Sequence, residues 1–329
     1  MFIRLKKTLT AHSWLNNNTE SMQEIIEAID RDLLEKELTS ERFVKPTNSG
    51  NNEIYIVSYH NAPNVTREIG RLREITFRDA GGGTGYDCDL DEFDTDEENP
   101  FYQLLVWDPR EREIIGGYRF IHGKTLKRKS DGRINTPTSE LFGLSDRFVE
   151  EFLPHTIELG RSFVQPNYQP TVNLRKGMYA LDNIWNGLGA ILIQNPDVKY
   201  YFGKITMYPQ YNVEARDLIL YFLRKYFGDK NKLVYPLEPL VINTQDSFLS
   251  GFFDGGSYEK DYKILVQQVR QRNENIPPLV NAYMNLSATM LFFGTSLNPG
   301  FGDVEESGIL VTLEDVYDFK KDRHLSMPT

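Results

Sequence analysis

The order of segment types along the chain is the feature that most constrains its fold. Short apolar runs with strand character alternate with longer segments in which apolar residues recur at helical spacing. The strand-like runs are 53–59, 101–107, 113–121, 156–164, 198–207 and 308–313. The helical segments are 20–38, 64–78, 139–152, 177–193, 213–227, 258–272 and 277–287. A short turn at 108–112 joins two of the strands, so the sequence predicts an α/β fold with a mixed central sheet flanked by helices.

A turn-rich segment near the N-terminus suggests where one part of the chain ends. Residues 45–52, KPTNSGNN, combine proline, glycine and asparagine between the first predicted helix and the first predicted strand. We therefore expect an N-terminal helical extension over 1–48. The main domain is expected over 49–329, with an elaboration towards its C-terminal end.

Charge is unevenly distributed along the sequence. The chain has 329 residues and a net charge of −10, which argues against general nucleic-acid binding because phosphate contacts need a positive surface. Eight acids fall within 87–98, and the remainder of the chain is nearly neutral. Five bases and a single acid fall within 124–133, which we call the basic segment.

The N-terminus and the cysteine content indicate the cellular compartment. The first basic residues are not followed by the apolar run that a signal peptide needs, and no window is long and apolar enough to span a bilayer. The single cysteine, Cys88, cannot form an internal disulfide, which favours a reducing compartment. We expect a cytoplasmic protein. The basic start (Arg4, Lys6, Lys7) is weak evidence for peripheral contact with the inner membrane, and a frayed terminus is the simpler interpretation.

Two motif-like stretches invite specific interpretations. The glycine run 81–85 follows a helix rather than a strand and lacks a following Gly-Lys-Ser/Thr, so a connector is favoured over a phosphate cradle, although the run can close over a substrate. The acidic stretch places Asp87, Asp89 and Asp91 as a calcium loop would, but Glu92 stands where the loop needs glycine. We expect a solvated acidic loop, one end of which packs inward through Phe93, and we predict no metal site.

Clustered arginines supply partners for the acids at that inner end. Arg67, Arg71, Arg73 and Arg78 lie on or just after the helix predicted over 64–78, and Arg119 lies inside an apolar strand. A carboxylate at the edge of a core must be paired with a cation. Asp91 and Asp94 are therefore expected to pair with Arg73 or Arg78, and structural ion pairs are the simplest interpretation of this cluster.

The strand IELGRSFV carries the sharpest local feature. Glu158 and Arg161 are three residues apart, so simple alternation would place them on opposite faces of the sheet. A bulge near Gly160 would bring both side chains to one face, and it would expose backbone N–H groups that can polarise a carbonyl oxygen.

An ordered set of motifs resembles one known family. The motifs are EIGRLREITFR at 68–78, GTG at 83–85, DEFD at 91–94, LVWD at 105–108, IGGYR at 115–119, ELGRS at 158–162, WNGLG at 185–189 and IPPLV at 276–280. They resemble the hemolysin-like N-acyltransferases of the GNAT fold, which include ornithine-lipid and glycine-lipid synthases and are distant relatives of acyl-homoserine-lactone synthases. The resemblance covers about residues 50 to 315.

The resemblance implies a reaction. A 3-hydroxyacyl group passes from a thioester on acyl carrier protein to the amine of an amino acid, with glycine favoured and ornithine second, and the product is a lyso-aminolipid. The family binds no permanent cofactor, because the acyl-phosphopantetheine thioester is a co-substrate; acyl-CoA is the alternative donor. Two positions depart from many relatives: Gly82 replaces a glutamate and Phe163 replaces a cysteine.

The resemblance and the chemistry together assign roles. Glu158 is the expected base and Arg161 its catalytic neighbour, because an amino acid must lose a proton before its amine attacks. Arg119 or Arg161 is expected to bind the acceptor's carboxylate. The residues expected to bind substrate are Arg73, Arg78, Asp91, Asp94, Arg119, Ser162 and Phe163.

The basic segment acquires a role under this interpretation, because acyl carrier proteins are acidic. The expected carrier-docking residues are Lys124, Lys127, Arg128 and Lys129. A solvated turn is the simpler alternative. Three rival functions remain open: a GNAT acetyltransferase using acetyl-CoA, a signal synthase making a lactone from S-adenosylmethionine, and a non-catalytic lipid- or carrier-binding module.

Overall fold

A computed structural model describes residues 22–177, 179–253 and 256–322. Its strands are β1 (Phe43–Pro46), β2 (Glu53–Val57), β3 (Tyr102–Asp108), β4 (Glu113–His122), β5 (Phe142–Leu144), β6 (Thr156–Val164), β7 (Tyr200–Met207), β8 (Val234–Pro236), β9 (Leu291–Asn298) and β10 (Val304–Thr312). Its α-helices are α1 (Arg31–Glu37), α2 (Pro63–Asp79), α3 (Glu92–Thr95), α4 (Leu174–Gly177), α5 (Ala180–Gln194), α6 (Val213–Phe227), α7 (Asp246–Ser250), α8 (Tyr258–Gln271), α9 (Pro278–Met284) and α10 (Asp318–Lys320).

Eight strands form one mixed sheet, which confirms the predicted α/β class. The strand order is β1-β2-β3-β4-β6-β7-β10-β9, and β5 pairs with β8 in a separate two-stranded sheet. Within the large sheet β6 and β7 are parallel, and the other neighbours are antiparallel. The parallel pair is connected through α5, as a crossover between parallel strands requires.

Apolar side chains cover both faces of the large sheet. On one face, which we call the α5 face, helices α5, α6, α8 and α9 pack on alternate strand residues such as Tyr118 and Ile205. On the other, the α2 face, helix α2 packs against residues such as Leu105 and Phe163. The strands are buried on both sides, so a cavity that opens within the sheet is enclosed by the helices of both layers.

The N-terminal segment differs from the prediction. The helix expected over 20–38 is formed only by α1, residues 22–30 are not helical, and residues 20–21 lie outside the described part. In place of helical bonds, Gln23 N–H donates to Gly85 O at 2.9 Å and Ile26 N–H donates to Asp87 O at 3.1 Å. Because such contacts are specific to the tertiary structure, they override a weak helical preference.

A second predicted helix, over 139–152, is also wrong. Residues 137–140 form a 3₁₀ turn, β5 follows, and the remaining turn over 148–152 is a π-helix. Phe142 and Phe148 are buried among residues of β7, β8 and β9 that are distant in sequence. The sequence also missed strand β9, which forms one edge of the large sheet.

The turn at 45–52 connects β1 to β2 within the large sheet. Ahead of it, Leu34 of α1 is buried together with residues of α2. Strand β1 and helix α1 therefore pack with the rest of the fold. The division of the chain into 1–48 and 49–329 stays a prediction.

Candidate active site

A cavity of about 330 Å³ opens where two parallel strands separate. The pairing of β6 with β7 runs from Thr156 and Tyr200 to Leu159 and Gly203, where it ends. Strand β7 continues to Met207, while β6 follows β4 instead. Residues of both strands line the resulting gap, so the cavity runs through the sheet from the α2 face to the α5 face.

The predicted bulge near Gly160 is confirmed. In the register of β4 with β6, Arg119 lies opposite Gly160 and Gly117 lies opposite Phe163, so Tyr118 faces two residues at once. Arg161 adopts a left-handed backbone with φ of 49°. The extra residue resets the alternation of side chains, so that Glu158 and Arg161 both lie on the α2 face.

Glu158 is held at one end and free at the other. Its side chain is 2% exposed and lines the cavity. Oε1 accepts hydrogen bonds from the hydroxyls of Thr136 and Thr138, the latter at 2.7 Å. Oε2 has no hydrogen-bond partner among the described residues. A carboxylate fixed through one oxygen can accept a proton at the other, as a general base must.

Three arginines and three aspartates, which we call the buried network, lie at one wall of the cavity and behind it. Its members are Arg73, Asp89, Asp91, Asp94, Arg119 and Arg161. Arg119 Nη1 lies 2.7 Å from Asp91 Oδ2 and 3.1 Å from Asp94 Oδ2. Arg73 Nη1 lies 3.4 Å from the same Asp94 oxygen. The expected pairing of Asp94 with Arg73 is thus observed, but Asp91 pairs with Arg119 and not with Arg73 or Arg78 as expected.

Arg161 joins the network through a residue that the sequence analysis did not select. Its Nε lies 2.9 Å from Asp89 Oδ2, and its guanidinium stacks over the Phe301 ring at 4.2 Å. Its Nη2 is 4.0 Å from Asp91. Arg161 is therefore oriented by its Nε, while the outer part of the guanidinium stays available at the cavity wall.

The network shifts the titration of its members in opposite directions. Burial alone would raise the pKa of Asp91, but its arginine neighbours, Arg119 above all, outweigh burial and lower it to about 2. Burial raises the pKa of Asp89 despite the charge of Arg161. For the cation Arg119 the signs are reversed: burial alone would lower its pKa, but the charges of Asp94 and Asp91 outweigh burial and raise that pKa. Arg119 and Asp91 are thus fixed as a charged pair at neutral pH.

Arg78 lies elsewhere, beside the glycine run. Its Nε donates to Glu74 at 2.7 Å, and the same carboxylate accepts from the backbone N–H groups of Thr84 and Gly85 at 3.1 and 2.8 Å. The glycine run is therefore ordered around a buried carboxylate and is not a loose connector. Gly82, one of the two departures from many relatives, packs against Tyr208.

Residues on the far side of the gap were not selected from the sequence. Lys204 of β7 pairs with Glu306 of β10 at 3.0 Å, and Tyr208 follows β7; all three line the cavity. Burial raises the pKa of the Tyr208 phenol to about 12, with help from Glu306. A phenol that stays protonated at neutral pH can donate a hydrogen bond to a leaving thiolate. Only the separation of the strands, which local sequence does not reveal, brings Tyr208 to the site.

The structure thus sorts the predicted catalytic and substrate-binding residues into three groups. Glu158, Arg161, Arg119, Ser162 and Phe163 line the cavity. Arg73, Asp91 and Asp94 lie behind them in the buried network. Arg78 supports the glycine run. Their roles with substrate stay predictions.

The basic segment forms an exposed hairpin tip whose charges are largely paired. Lys124 lies 2.9 Å from Asp197, Lys127 contacts Glu98, and Lys129 contacts Glu140. Arg128 donates to the Gly132 carbonyl at 2.7 Å. None of these four bases lines the cavity. Since exposed ion pairs contribute little stability, they can be exchanged for pairs with a partner.

The described residues contain neither a cluster arranged to bind a metal ion nor a helix able to span a membrane. No group of three or more His, Cys, Asp or Glu side chains in them is arranged to hold a metal ion. In the acidic stretch, Asp89, Asp91 and Asp94 bond arginines instead. Over the same part of the chain, every helix is too short or too polar to cross a membrane.

Comparison with known proteins agrees with this arrangement. The acetyltransferase (GNAT) domain family matches residues 72–176. The chain is 52% identical over 304 residues to the glycine N(alpha)-acyltransferase of Bacteroides thetaiotaomicron, covering 92% of this chain and 90% of that protein. It is 51% identical over 304 residues to the glycine N(alpha)-acyltransferase of Phocaeicola vulgatus, covering 92% and 93%. No solved structure shows significant similarity. The chain therefore belongs to the GNAT-fold N-acyltransferases and is an acyltransferase enzyme.

Proposed function

We propose that this enzyme transfers a 3-hydroxyacyl group from acyl carrier protein to the amine of glycine, giving an N-acylated lyso-aminolipid. The observation that carries the proposal is the free Oε2 of Glu158, which faces a cavity flanked by Arg161. The names of the two relatives, both glycine N(alpha)-acyltransferases, support glycine as the acceptor.

The acceptor's carboxylate is assigned to Arg161 in preference to Arg119. Nη1 of Arg119 already contacts two carboxylates, at 2.7 and 3.1 Å. Arg161 is bonded through Nε, and its side chain is 16% exposed, against 2% for Arg119. A guanidinium with an open edge can bind a carboxylate in bidentate fashion. Glycine bound there places its amine towards Glu158 on the same face.

The chemistry then follows from the positions of the groups. The amine of an amino acid is mostly ammonium at neutral pH, so Glu158 takes a proton directly or through water. The nitrogen attacks the thioester carbonyl, the new C–N bond forms, and the C–S bond breaks. Backbone N–H groups in 160–163, where β6 has left β7, stabilise the oxyanion. The nitrogen loses its second proton as the amide forms, and this proton passes through water to the departing thiolate of the phosphopantetheine, which accepts a hydrogen bond from Tyr208.

The donor is proposed to dock through the basic segment. Lys124, Lys127, Arg128 and Lys129 would exchange their exposed contacts for acids of the carrier protein. A thioester co-substrate requires no permanently bound cofactor. A cytoplasmic location belongs to the same proposal.

A reconstituted assay tests the proposal. Purified enzyme is incubated with 3-hydroxyacyl carrier protein and, separately, with glycine, ornithine or serine, and products are identified by mass spectrometry. We expect N-acylglycine as the main product. Preferential acylation of ornithine would overturn the acceptor.

The donor is tested in the same assay with acyl-CoA and acetyl-CoA. We expect the highest kcat/KM with the carrier-bound donor. Efficient turnover of acetyl-CoA at low concentration would favour the acetyltransferase alternative. Binding of acyl carrier protein without any turnover would favour a non-catalytic module.

A further inference from the structure

Two buried threonines contact the proposed base and have no role in the chemistry above. Thr136 immediately precedes the 3₁₀ turn over 137–140, and Thr138 lies within that turn. The two residues are 0% and 2% exposed. Both hydroxyls donate to the same oxygen, Oε1 of Glu158, which lies 20 or more residues further along the chain. The turn and strand β6 are therefore joined at a single carboxylate oxygen.

These hydroxyls bond a side chain rather than the backbone. Buried threonines elsewhere, such as Thr66 and Thr76 of α2, donate to the carbonyl four residues before them, which is the usual local partner in a helix. Thr136 and Thr138 donate to Glu158 of a distant strand instead. A valine would fill nearly the same space without burying a hydroxyl, so the two hydroxyls point to a function of the contact with the carboxylate.

Glu158 differs from the acids of the buried network in how its charge is compensated. Asp91 and Asp94 contact Arg119 at 2.7 and 3.1 Å. Glu158 forms no ion pair with any residue that the structure describes, and its side-chain hydrogen bonds come from the two threonines. A nearby cation favours the ionised form of a carboxylate and so makes it a weaker base. Hydroxyl donors satisfy a buried carboxylate without a positive charge, so they can orient it and leave it able to accept a proton.

The turn is built to hold the two hydroxyls in place. Pro137 stands between the threonines, and its ring restricts the backbone there. Ser139 N–H donates to the Thr136 carbonyl and Leu141 N–H donates to the Thr138 carbonyl, both at 3.1 Å. A threonine side chain branches at Cβ and is therefore stiff at χ1. Two directional donors fixed in this way set the orientation of the carboxylate, whose other oxygen keeps no partner among the described residues.

We infer that Thr136 and Thr138 are positioning residues, whose hydroxyls hold Oε1 of Glu158 so that Oε2 receives the proton of the amine. This inference rests on the proposed function, which assigns Glu158 as the base. It adds that the orientation of the base is set from outside its own strand, by the turn that precedes β5. Although Thr138 also lines the cavity, both threonines act through Glu158 and not by contact with substrate.

Valine substitutions test the inference in the full-length enzyme, with 3-hydroxyacyl carrier protein as donor and glycine as acceptor. We expect kcat to fall about 10²-fold in Thr136→Val/Thr138→Val and about tenfold in each single variant, since a displacement of about 1 Å at a reacting group can cost 10²-fold. The KM values for glycine and donor should change by less than about twofold, because the contacts with substrate are kept. Circular dichroism and urea denaturation show whether each variant folds. The single variants decide the question if the double variant does not fold.

Two further variants separate positioning from a purely structural effect. Thr136→Ser/Thr138→Ser keeps both hydroxyls and should retain most of the wild-type kcat. Thr156→Val is the matched control, because Thr156 lies on β6 two residues before Glu158, is fully buried, and donates its hydroxyl to the Phe152 carbonyl at 2.8 Å. This control should lose stability, as the other valine variants do, and keep the wild-type kcat.

A double-mutant cycle tests whether the threonines act through Glu158. In an enzyme that carries Glu158→Gln, the valine substitutions should cause no further loss of kcat, because no base is left to position. Any one of five results would overturn the inference: an unchanged kcat in a folded valine variant, a raised KM with unchanged kcat, a serine variant as slow as the valine variant, the same loss in Thr156→Val, or a further loss in the presence of Glu158→Gln.

The same measurements distinguish this inference from the proposed function. Normal turnover by Glu158→Gln alone would remove the assigned base, and with it the role of the threonines. A slow Glu158→Gln together with fully active valine variants would overturn the positioning role alone and leave Glu158 as the base.

Discussion

The buried network and the basic segment use the same kinds of side chain in opposite ways. In the network, Arg119 and Asp94 are 2% and 0% exposed and contact each other and their neighbours from several directions. In the basic segment, Lys127 and Glu98 are 62% and 76% exposed and form an isolated pair. Removing one partner from a buried pair leaves an uncompensated charge, whereas water replaces the partner of an exposed one.

The difference separates buried charges that hold side chains in place from exposed charges that can exchange one partner for another. The buried network fixes Arg161 and Arg119 at the cavity before substrate arrives. The basic segment keeps its charges in water, where they can meet a partner. Substitutions in the two regions should therefore differ in both size and kind of effect.

The largest effect is expected at Glu158. This carboxylate is buried like those of the network, but one of its oxygens has no partner among the described residues. Glu158→Gln can still accept the threonine hydrogen bonds but cannot take a proton, so kcat should fall about 10²- to 10⁴-fold while the fold is kept. Steady-state kinetics and circular dichroism measure both. Glu98→Gln, in an exposed pair, is the control and should turn over normally. Near-wild-type turnover across pH 6 to 9 would exclude Glu158 as the base.

The next largest effect concerns stability. Asp94→Asn should lower the free energy of unfolding by about 3–5 kcal/mol, because Arg73 and Arg119 both lose a buried counter-charge. Denaturation by urea measures the change. Glu140→Gln, which removes an exposed partner of Lys129, should change it by less than about 1 kcal/mol. Similar losses of unfolding free energy in the two variants would contradict the distinction between buried and exposed ion pairs.

An effect of intermediate size is expected in the pH dependence of the stability that the buried network contributes. The arginines lower the pKa of Asp91 from 3.8 to about 2, so its charge stabilises the fold above pH 4 and this stabilisation disappears as the pH falls through 2. It amounts to about 2 kcal/mol. The stability difference between wild type and Asp91→Asn should therefore be greatest above pH 4 and shrink towards pH 2, as followed by chemical denaturation. A difference that does not vary with pH would contradict the charged pair.

The smallest effect on stability, and a specific one on recognition, is expected in the basic segment. Replacing Lys127, Arg128 and Lys129 with glutamate should change the unfolding free energy by no more than about 1 kcal/mol. The KM for acyl carrier protein should rise about tenfold at low salt, and this difference from the wild type should shrink as salt is added. Turnover of a pantetheine-bound donor should be unchanged. An unaltered KM for the carrier would remove the docking assignment.

Local patterns predicted some of the regular elements closely. Strand β6 and helix α6 have the bounds expected from the sequence, because side-chain periodicity and the breaks that flank each segment are local properties. The bulge in β6 was also predictable, since Gly160 separates two charges that alternation would have divided. These features required no knowledge of distant partners.

Other features depended on partners far away in the chain. Residues 22–30 resemble a helix but hydrogen-bond to the backbone near Gly85 and Asp87, and residues 142–144 pair with β8. The same limit applies to the site. The arginine motifs pointed to the network, but Asp89 and Tyr208 were missed because their positions follow from how α2 packs and how β6 and β7 separate.

The backbone conformation of Arg161 places thermal stability and activity in opposition. A left-handed φ of 49° costs a residue with a side chain about 1 kcal/mol or more, a cost that glycine avoids. Arg161→Gly alone relieves the backbone strain but leaves Asp89 buried without the cation that contacts it, so stability rises only if both positions change together. We therefore expect laboratory evolution for heat resistance alone to favour Arg161→Gly combined with Asp89→Asn, a double variant that survives heating but lacks the arginine proposed to bind the acceptor. Selection that also demands product would retain the strained arginine.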